Sequence, residues 1–162
     1  MEALRALFAG LGFSRVETLL ASGNVVFEGG GGNARALERR IERTLGAELG
    51  YEVATFLRTD AEVEALARAQ PFPSAEVAAA HNLYVGFLPE APGSTGAAAL
   101  AALATGEHRL RLEGREIFWL SRVPTSESKL SYKSFERALA MPATFRGMKT
   151  LERLAAKYPP RG

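Results

Sequence analysis

The second half of the chain alternates strand and helix patterns in a regular order. Runs of β-branched and aromatic residues mark strands, and apolar residues at helical spacing mark helices. The segments are a strand at 82–88, a helix at 96–104, a hairpin at 109–120, a helix at 128–140, an extended piece at 143–145 and a helix at 149–158. The hairpin turns at Glu113 and Gly114. This order predicts a ferredoxin-like, or split βαβ, unit with one helix added at its end.

The first half has the same order except that no strand opens it. Its segments are a helix at 2–11, a hairpin over 16–28 that turns at 21–24, a helix beginning after Asn33, a strand at 51–58 and a helix opened by the capping box of Thr59 and Glu62. The predicted fold class is therefore α+β, with two ferredoxin-like repeats of which the first lacks its opening strand. The predicted domains are residues 1–70 and 82–162, with the linker 71–81 between them.

The missing strand has a physical consequence, because the first strand of a ferredoxin-like sheet is central and pairs with both the third and the last. Without it the first sheet would be split. Three explanations are open: the sheet is rearranged, a neighbouring chain fills the gap, or Met1 is not the natural start.

Composition excludes several kinds of chemistry. The chain of 162 residues contains no Cys and two His, so disulfides, thiolate metal sites and cysteine nucleophiles are excluded and a zinc or haem site is not expected. No cofactor and no metal are predicted. Both His81 and His108 are expected to be ordinary surface residues. No apolar run approaches the roughly 20 residues that span a bilayer, and no secretory signal opens the chain, which predicts a cytoplasmic protein without a membrane partner.

Charge divides unevenly along the chain. Residues 1–121 carry 11 basic and 15 acidic side chains, a net charge of −4, whereas residues 122–162 carry 9 and 3, a net charge of +6. An anionic partner is therefore expected to meet the C-terminal part.

The candidate binding residues lie mostly in this basic part, close to the predicted starts of two helices. Helix N-termini, hydroxyl groups and Lys or Arg side chains together form phosphate sites. The candidates are Ser128, Lys129, Lys133, Arg146, Lys149 and Thr150, and Asn24 is added because its turn would present the amide outward. The competing interpretation is that the hydroxyls are plain helix caps and the cations form a solvated face.

Three functions follow from these candidates. The leading hypothesis is a non-catalytic module that binds an anion, either a phosphate-bearing metabolite or a nucleic-acid backbone. The second is a small enzyme acting on a phosphorylated or carboxylated substrate with Lys129 and Arg146 as electrostatic stabilisers, although no general base is apparent near them. The third is a structural protein that forms a homo-oligomer through the sheet edge left open by the missing strand.

Several short motifs also resemble those of a family, and they occur in the same order. They are Leu11-Gly12-Phe13, the stretch from Ser22 to Phe27, Ser128-Lys129-Leu130, and Pro142 to Arg146 leading through Thr150 into the last helix. They resemble the uncharacterised bacterial family catalogued as domain of unknown function 1697. The resemblance implies a duplicated α+β fold and brings no established activity. Members usually begin with a strand and an Asn-Val-Gly-Gly loop, which are absent here, and Arg146-Gly147-Met148 stands where they usually have Arg-Asn-Trp.

Overall fold

The computed structural model describes residues 2–19, 24–29 and 32–160, and the chain forms two compact units, residues 1–57 and 58–162. Unit 1 contains the helices and strands α1 (Glu2–Gly10), β1 (Ser14–Leu19), β2 (Asn24–Glu28) and α2 (Ala34–Leu49). Unit 2 contains α3 (Asp60–Arg68), α4 (Ser74–Ala79), β3 (Asn82–Phe87), α5 (Ser94–Ala101), β4 (His108–Glu113), β5 (Glu116–Ser121), α6 (Tyr132–Leu139), β6 (Thr144–Gly147) and α7 (Met148–Lys157). The predicted α+β class is confirmed.

Unit 1 packs its two helices and one hairpin around a small aromatic core. β1 and β2 pair antiparallel. Of the turn predicted at 21–24, Asn24 is the first residue of β2, and residues 21–23 lie outside the described part of the chain. Phe8 and Phe13 are buried with Ile41 of α2, and the Phe27 ring lies 4.3 Å from that of Phe13. Helix α2 begins at the predicted cap, since the Asn33 side chain accepts a hydrogen bond from the Ala36 N–H at 3.0 Å.

The strand predicted at residues 51–58 does not form. Those residues run without strand pairing, and two of their backbone N–H groups donate to carboxylates of α2 instead. Thr55 donates to Glu42 at 2.8 Å and Leu57 donates to Glu38 at 2.7 Å. The strand prediction was wrong here because composition alone does not supply the neighbouring strand that a strand requires.

Unit 2 is built on a four-stranded antiparallel sheet with the order β4-β5-β3-β6. β3 lies inside the sheet, between β5 and β6, and its Tyr84 stands opposite Trp119 on one side and Gly147 on the other. The predicted hairpin is confirmed: β4 and β5 meet at Gly114, which has a φ of 57°. Such a left-handed backbone favours glycine.

Both faces of this sheet are covered. On one face Trp119 and Phe145 are buried against Leu100 of α5 and Phe135 of α6. On the other face the Arg58 guanidinium lies 5.1 Å from the centre of the Phe87 ring. Arg109 similarly lies 5.4 Å from the Phe72 ring, while α7 packs against β3 and β6. The cover of the second face is supplied by helices and loops of unit 2 itself.

The compact unit that contains the second sheet begins at Arg58. The predicted domain limits of 1–70 and 82–162 stay predictions. Helix α3 packs against α7, and residues 74–79, expected to be linker, form α4. The buried residue of α3 is Leu66, and the structure shows that α3 packs against α7 within unit 2.

Candidate functional site

The first residue of α6 lies beside β6, the strand that carries Arg146. Tyr132 begins α6, and its ring stacks on that of Phe145 in β6 with 4.8 Å between the ring centres. Burial raises the pKa of the Tyr132 hydroxyl, the nearby Tyr84 raises it further, and Arg146 acts in the opposite direction. The beginning of α6 and the strand β6 that leads into α7 are thus neighbours. We call Lys129, Lys133, Arg146 and Lys149 the basic cluster.

The three lysines of the basic cluster are exposed. In the described ranges, none of them forms an ion pair with a carboxylate. Cations earlier in the chain behave differently, as Arg58 pairs with Glu116 at 2.8 Å and Arg111 with Glu113 at 2.9 Å. The positive charge predicted for the C-terminal part is therefore left without internal compensation at these lysines.

Arg146 is the half-buried member of the basic cluster. Its Nη1 atom donates hydrogen bonds of 2.9 Å to the Thr144 hydroxyl and to the Phe145 carbonyl. Burial lowers the pKa of Arg146, and the neighbouring Tyr132 raises it. These contacts fix the guanidinium against β6, so that Arg146 is the preorganised charge of the basic cluster.

The two helix N-termini near the basic cluster differ in their caps. The start of α6 is closed by a capping box, in which the Ser131 N–H donates to the Ser134 hydroxyl at 3.1 Å. The N-cap of α7 is Gly147, which has no side chain to accept a bond from the first turn. Lys149 and the half-buried Thr150 lie in that first turn. The N–H groups at the start of α7 are the ones left for an acceptor from outside the helix.

Ser128 does not have a hydroxyl available for a ligand. Its Oγ lies 2.9 Å from His108 Nε2, accepts a hydrogen bond of 2.9 Å from the Leu130 N–H and donates to the Leu130 carbonyl at 2.9 Å. These contacts use the one proton and both lone pairs of the hydroxyl. They also explain why the predicted helix at 128–140 starts only at Tyr132, because Ser128 closes a local turn before it.

His108 is buried, which corrects the expectation of a surface histidine; His81 is exposed as expected. The Trp119 indole N–H donates to His108 Nδ1 at 3.0 Å. Since that nitrogen accepts, the proton of the neutral ring sits on Nε2 and is donated to the Ser128 hydroxyl. A histidine that activates a serine must accept the hydroxyl proton, so this pair has the opposite polarity to a catalytic one.

A cavity of about 420 Å³ opens at the start of α6, with Lys133 of the basic cluster in its lining. Its lining combines aromatic and apolar surface with three hydroxyls and one ammonium group, contributed by Trp119, Thr125, Leu130, Ser131, Tyr132 and Lys133. Tyr132 is 44% exposed, which is high for so large a side chain. Asn24, the remaining candidate, is the first residue of β2 and belongs to unit 1.

Comparison with known proteins gives a family. The model of the family described as protein of unknown function (DUF1697) matches residues 1–118. The chain belongs to this family. The matched residues of the DUF1697 model end before Ser128, so the match does not extend to the basic cluster.

A conserved bacterial protein from Streptococcus pneumoniae has a similar structure, with a TM-score of 0.73 and 22% identity over 97% of this chain and 87% of that chain. At that identity the likeness shows the fold alone. The search of curated proteins found no significant match.

Two further findings concern the described residues only. None of their helices is both long and apolar enough to cross a membrane. Likewise, no group of three or more His, Asp or Glu side chains is arranged there to hold a metal ion.

Proposed function

We propose that this DUF1697 protein is a non-catalytic module that binds a phosphate-bearing small molecule at the basic cluster. The observation that carries the proposal is the exposure of Lys129, Lys133 and Lys149 without a carboxylate partner among the described residues. An ammonium group that is not paired internally keeps its full attraction for an anion. We further propose that the protein acts in the cytoplasm.

The start of α7 supports the same ligand. A phosphate placed there would receive N–H groups that Gly147 cannot cap, with Lys149 in the same turn and the oriented Arg146 immediately before it. Backbone donors and cations at one helix N-terminus are the usual elements of a phosphate site. The cavity at Lys133, with its tyrosine and tryptophan, offers apolar surface to the rest of such a molecule.

The enzymatic alternative has less support. The one serine and histidine pair near the basic cluster is oriented with His108 as donor, so it does not supply a base for Ser128. Turnover of a phosphorylated substrate that is lost in a Lys149→Ala variant would reverse this preference.

The proposal includes a finer description of the fold, in which each unit is one ferredoxin-like repeat. Unit 2 supports it through the element order β3, α5, β4, β5, α6, β6 and the strand order β4-β5-β3-β6. Unit 1 has the corresponding helix, hairpin and helix, α1, β1, β2 and α2, followed by residues 53–57, which form no strand.

Binding can be followed through the single tryptophan. Trp119 lines the cavity, and its ring centre lies 6.3 Å from that of Tyr132, so a ligand at the basic cluster is expected to change its fluorescence. The probes are inorganic phosphate, a sugar phosphate, a nucleoside triphosphate and a short single-stranded RNA. Saturable binding of a small phosphate that persists at moderate salt supports the proposal. Binding of RNA alone, with a steep salt dependence, would indicate a nucleic-acid backbone instead.

Two variants test the location of the site. Lys149→Ala removes one cation, and Gly147→Asp adds a carboxylate that caps α7 where the phosphate would sit; the φ of −66° at Gly147 admits any residue. We expect each variant to weaken phosphate binding about tenfold, or about 1.4 kcal/mol. Lys157→Ala is the matched control, since it removes the same charge from the same helix about 12 Å further along. Equal weakening of phosphate binding by all three variants would show that only the net charge matters and would refute a defined site.

A further inference from the structure

Tyr132 differs from the other large aromatic side chains of unit 2. Among the described residues of that unit it is the one tyrosine, phenylalanine or tryptophan that is exposed. It is nevertheless held in place, because it begins α6 and its ring is nearly parallel to the buried Phe145 ring, with 18° between the two planes. An exposed ring whose orientation is already fixed loses little conformational freedom when it contacts a ligand.

The face of the Tyr132 ring that is turned away from Phe145 is open. Phe145 covers one face, with 4.8 Å between the ring centres. The Trp119 ring lies 6.3 Å from Tyr132 and 5.7 Å from Phe145. Because Trp119 is closer to Phe145 than to Tyr132, it stands beside the stacked pair and not on the far side of Tyr132. The exposed surface of Tyr132 therefore lies on its second face and its outer rim.

This exposed surface contributes to the wall of the cavity at the start of α6. The cavity volume of about 420 Å³ lies within the range of small-molecule sites. Beside the Tyr132 ring, the lining offers the Thr125 hydroxyl and the Lys133 ammonium group. Neither group has a hydrogen-bond partner in the part of the chain that the structure describes. The cavity thus combines one stacking surface with polar groups that can bond the edge of a ring or its substituents.

The Tyr132 ring is also a neighbour of two members of the basic cluster. Lys133 follows it in α6 and lines the same cavity. Arg146 follows Phe145, on which Tyr132 stacks. Burial raises the pKa of the Tyr132 hydroxyl and Arg146 opposes this effect, so the guanidinium lies close enough to act on the hydroxyl. An anionic group attached to a ring on Tyr132 would therefore meet positive charge.

We propose that the open face of Tyr132 is a stacking site for a planar aromatic ring, and that the ligand is a nucleoside phosphate and not a sugar phosphate. This rests on the proposed function, since it assigns the part of the ligand that is not phosphate. Every nucleobase has a π face, so stacking selects a ring without choosing among the bases. Single-stranded nucleic acid instead uses several aromatic side chains for successive bases, and the described part of unit 2 exposes one such ring.

Calorimetric titration with three probes tests the stacking site. Adenosine triphosphate carries the ring and three phosphates, inorganic tripolyphosphate carries the phosphates alone, and adenosine carries the ring alone. We expect the wild type to bind adenosine triphosphate about tenfold more tightly than tripolyphosphate, as one stacked base provides. Tyr132→Leu should bring this ratio to about one, whereas Tyr132→Phe keeps the ring and should keep the ratio. Tyr51→Leu removes an exposed tyrosine of unit 1 and is the matched control, with the ratio unchanged.

Two results would overturn the proposal. One is equal affinity of the wild type for adenosine triphosphate and tripolyphosphate, a comparison that is decisive even if Tyr132→Leu does not fold. The other is a preference for the nucleotide that survives in Tyr132→Leu. Tripolyphosphate binding that depends on Lys149, with no gain from the ring, would refute the stacking site and leave the proposed function standing. Binding of adenosine that is lost in Tyr132→Leu, without binding of tripolyphosphate, would refute the proposed function and support the stacking site.

Discussion

Protonation of the buried His108 is expected to destabilise unit 2. Its Nδ1 accepts the Trp119 N–H and its Nε2 donates to Ser128, so a second proton can only enter at Nδ1. The Trp119 N–H and the protonated Nδ1 of His108 would then be two donors facing each other, at a side chain that is only 4% exposed. Burial accordingly lowers the pKa of His108, with the nearby Glu107 acting in the opposite direction.

The direction and size of the effect follow from this geometry. Because the folded pKa lies below the unfolded value of about 6.5, the unfolded chain binds more protons below that pH, and unfolding becomes easier as the pH falls. One proton changes the free energy of unfolding by at most about 1.4 kcal/mol per pH unit. Between about pH 7.5 and about pH 5.5 we expect a loss of about 1 kcal/mol, within the roughly 1–3 kcal/mol that an opposed buried donor costs.

Urea unfolding followed by Trp119 fluorescence measures this quantity for unit 2. The wild type is compared with His108→Gln and with His81→Gln, which removes the exposed histidine and is the matched control. We expect the pH dependence to vanish in the first variant and to persist in the second. A dependence that survives His108→Gln, or disappears in His81→Gln, would refute the argument.

Three substitutions test the packing of the two units by urea unfolding. Gly86→Ala would place a Cβ 2.8 Å from Cζ of the Phe145 ring, and we expect a loss of about 1–3 kcal/mol that Phe145→Leu partly restores. Arg58→Ala would remove the donor to Glu116 and to the Leu88 carbonyl, while the Arg115 carbonyl keeps the Leu88 N–H; we expect a loss of about 3–5 kcal/mol, with Arg68→Ala on the exposed face of α3 nearly neutral. Asn33→Ala removes the cap of α2 and should cost unit 1 about 1 kcal/mol.

Features with a local cause were predictable from the sequence. The hairpin at Gly114 needs a left-handed residue, and the caps at Asn33 and Thr59 need a side-chain acceptor just before a helix. In each case the residue type and the backbone geometry that it favours lie within a few positions of each other. The order of the elements of unit 2 follows from a series of such signals.

Features that depend on distant partners were not predictable in this way. Residues 51–58 have strand composition, but the partners that their N–H groups found are glutamates 13 and 19 positions away. A serine at position 128 could contact a ligand or cap a helix, yet its hydroxyl is hydrogen-bonded to His108, 20 positions away. A side chain that can satisfy several roles is assigned one of them by the tertiary fold, and the sequence pattern alone does not choose among them.

The same reasoning explains how far the binding site could be predicted. The net charge of +6 over residues 122–162 is a property of the sequence, but the charge available to a ligand depends on which carboxylates reach each cation. Arg58 is neutralised by Glu116, 58 positions away, and no local rule would have paired them. For Lys149 the fold brings no carboxylate from the described residues within ion-pair distance. Lys149 is therefore the lysine to mutate first, because it is exposed and unpaired among the described residues. Both properties are decided by the fold.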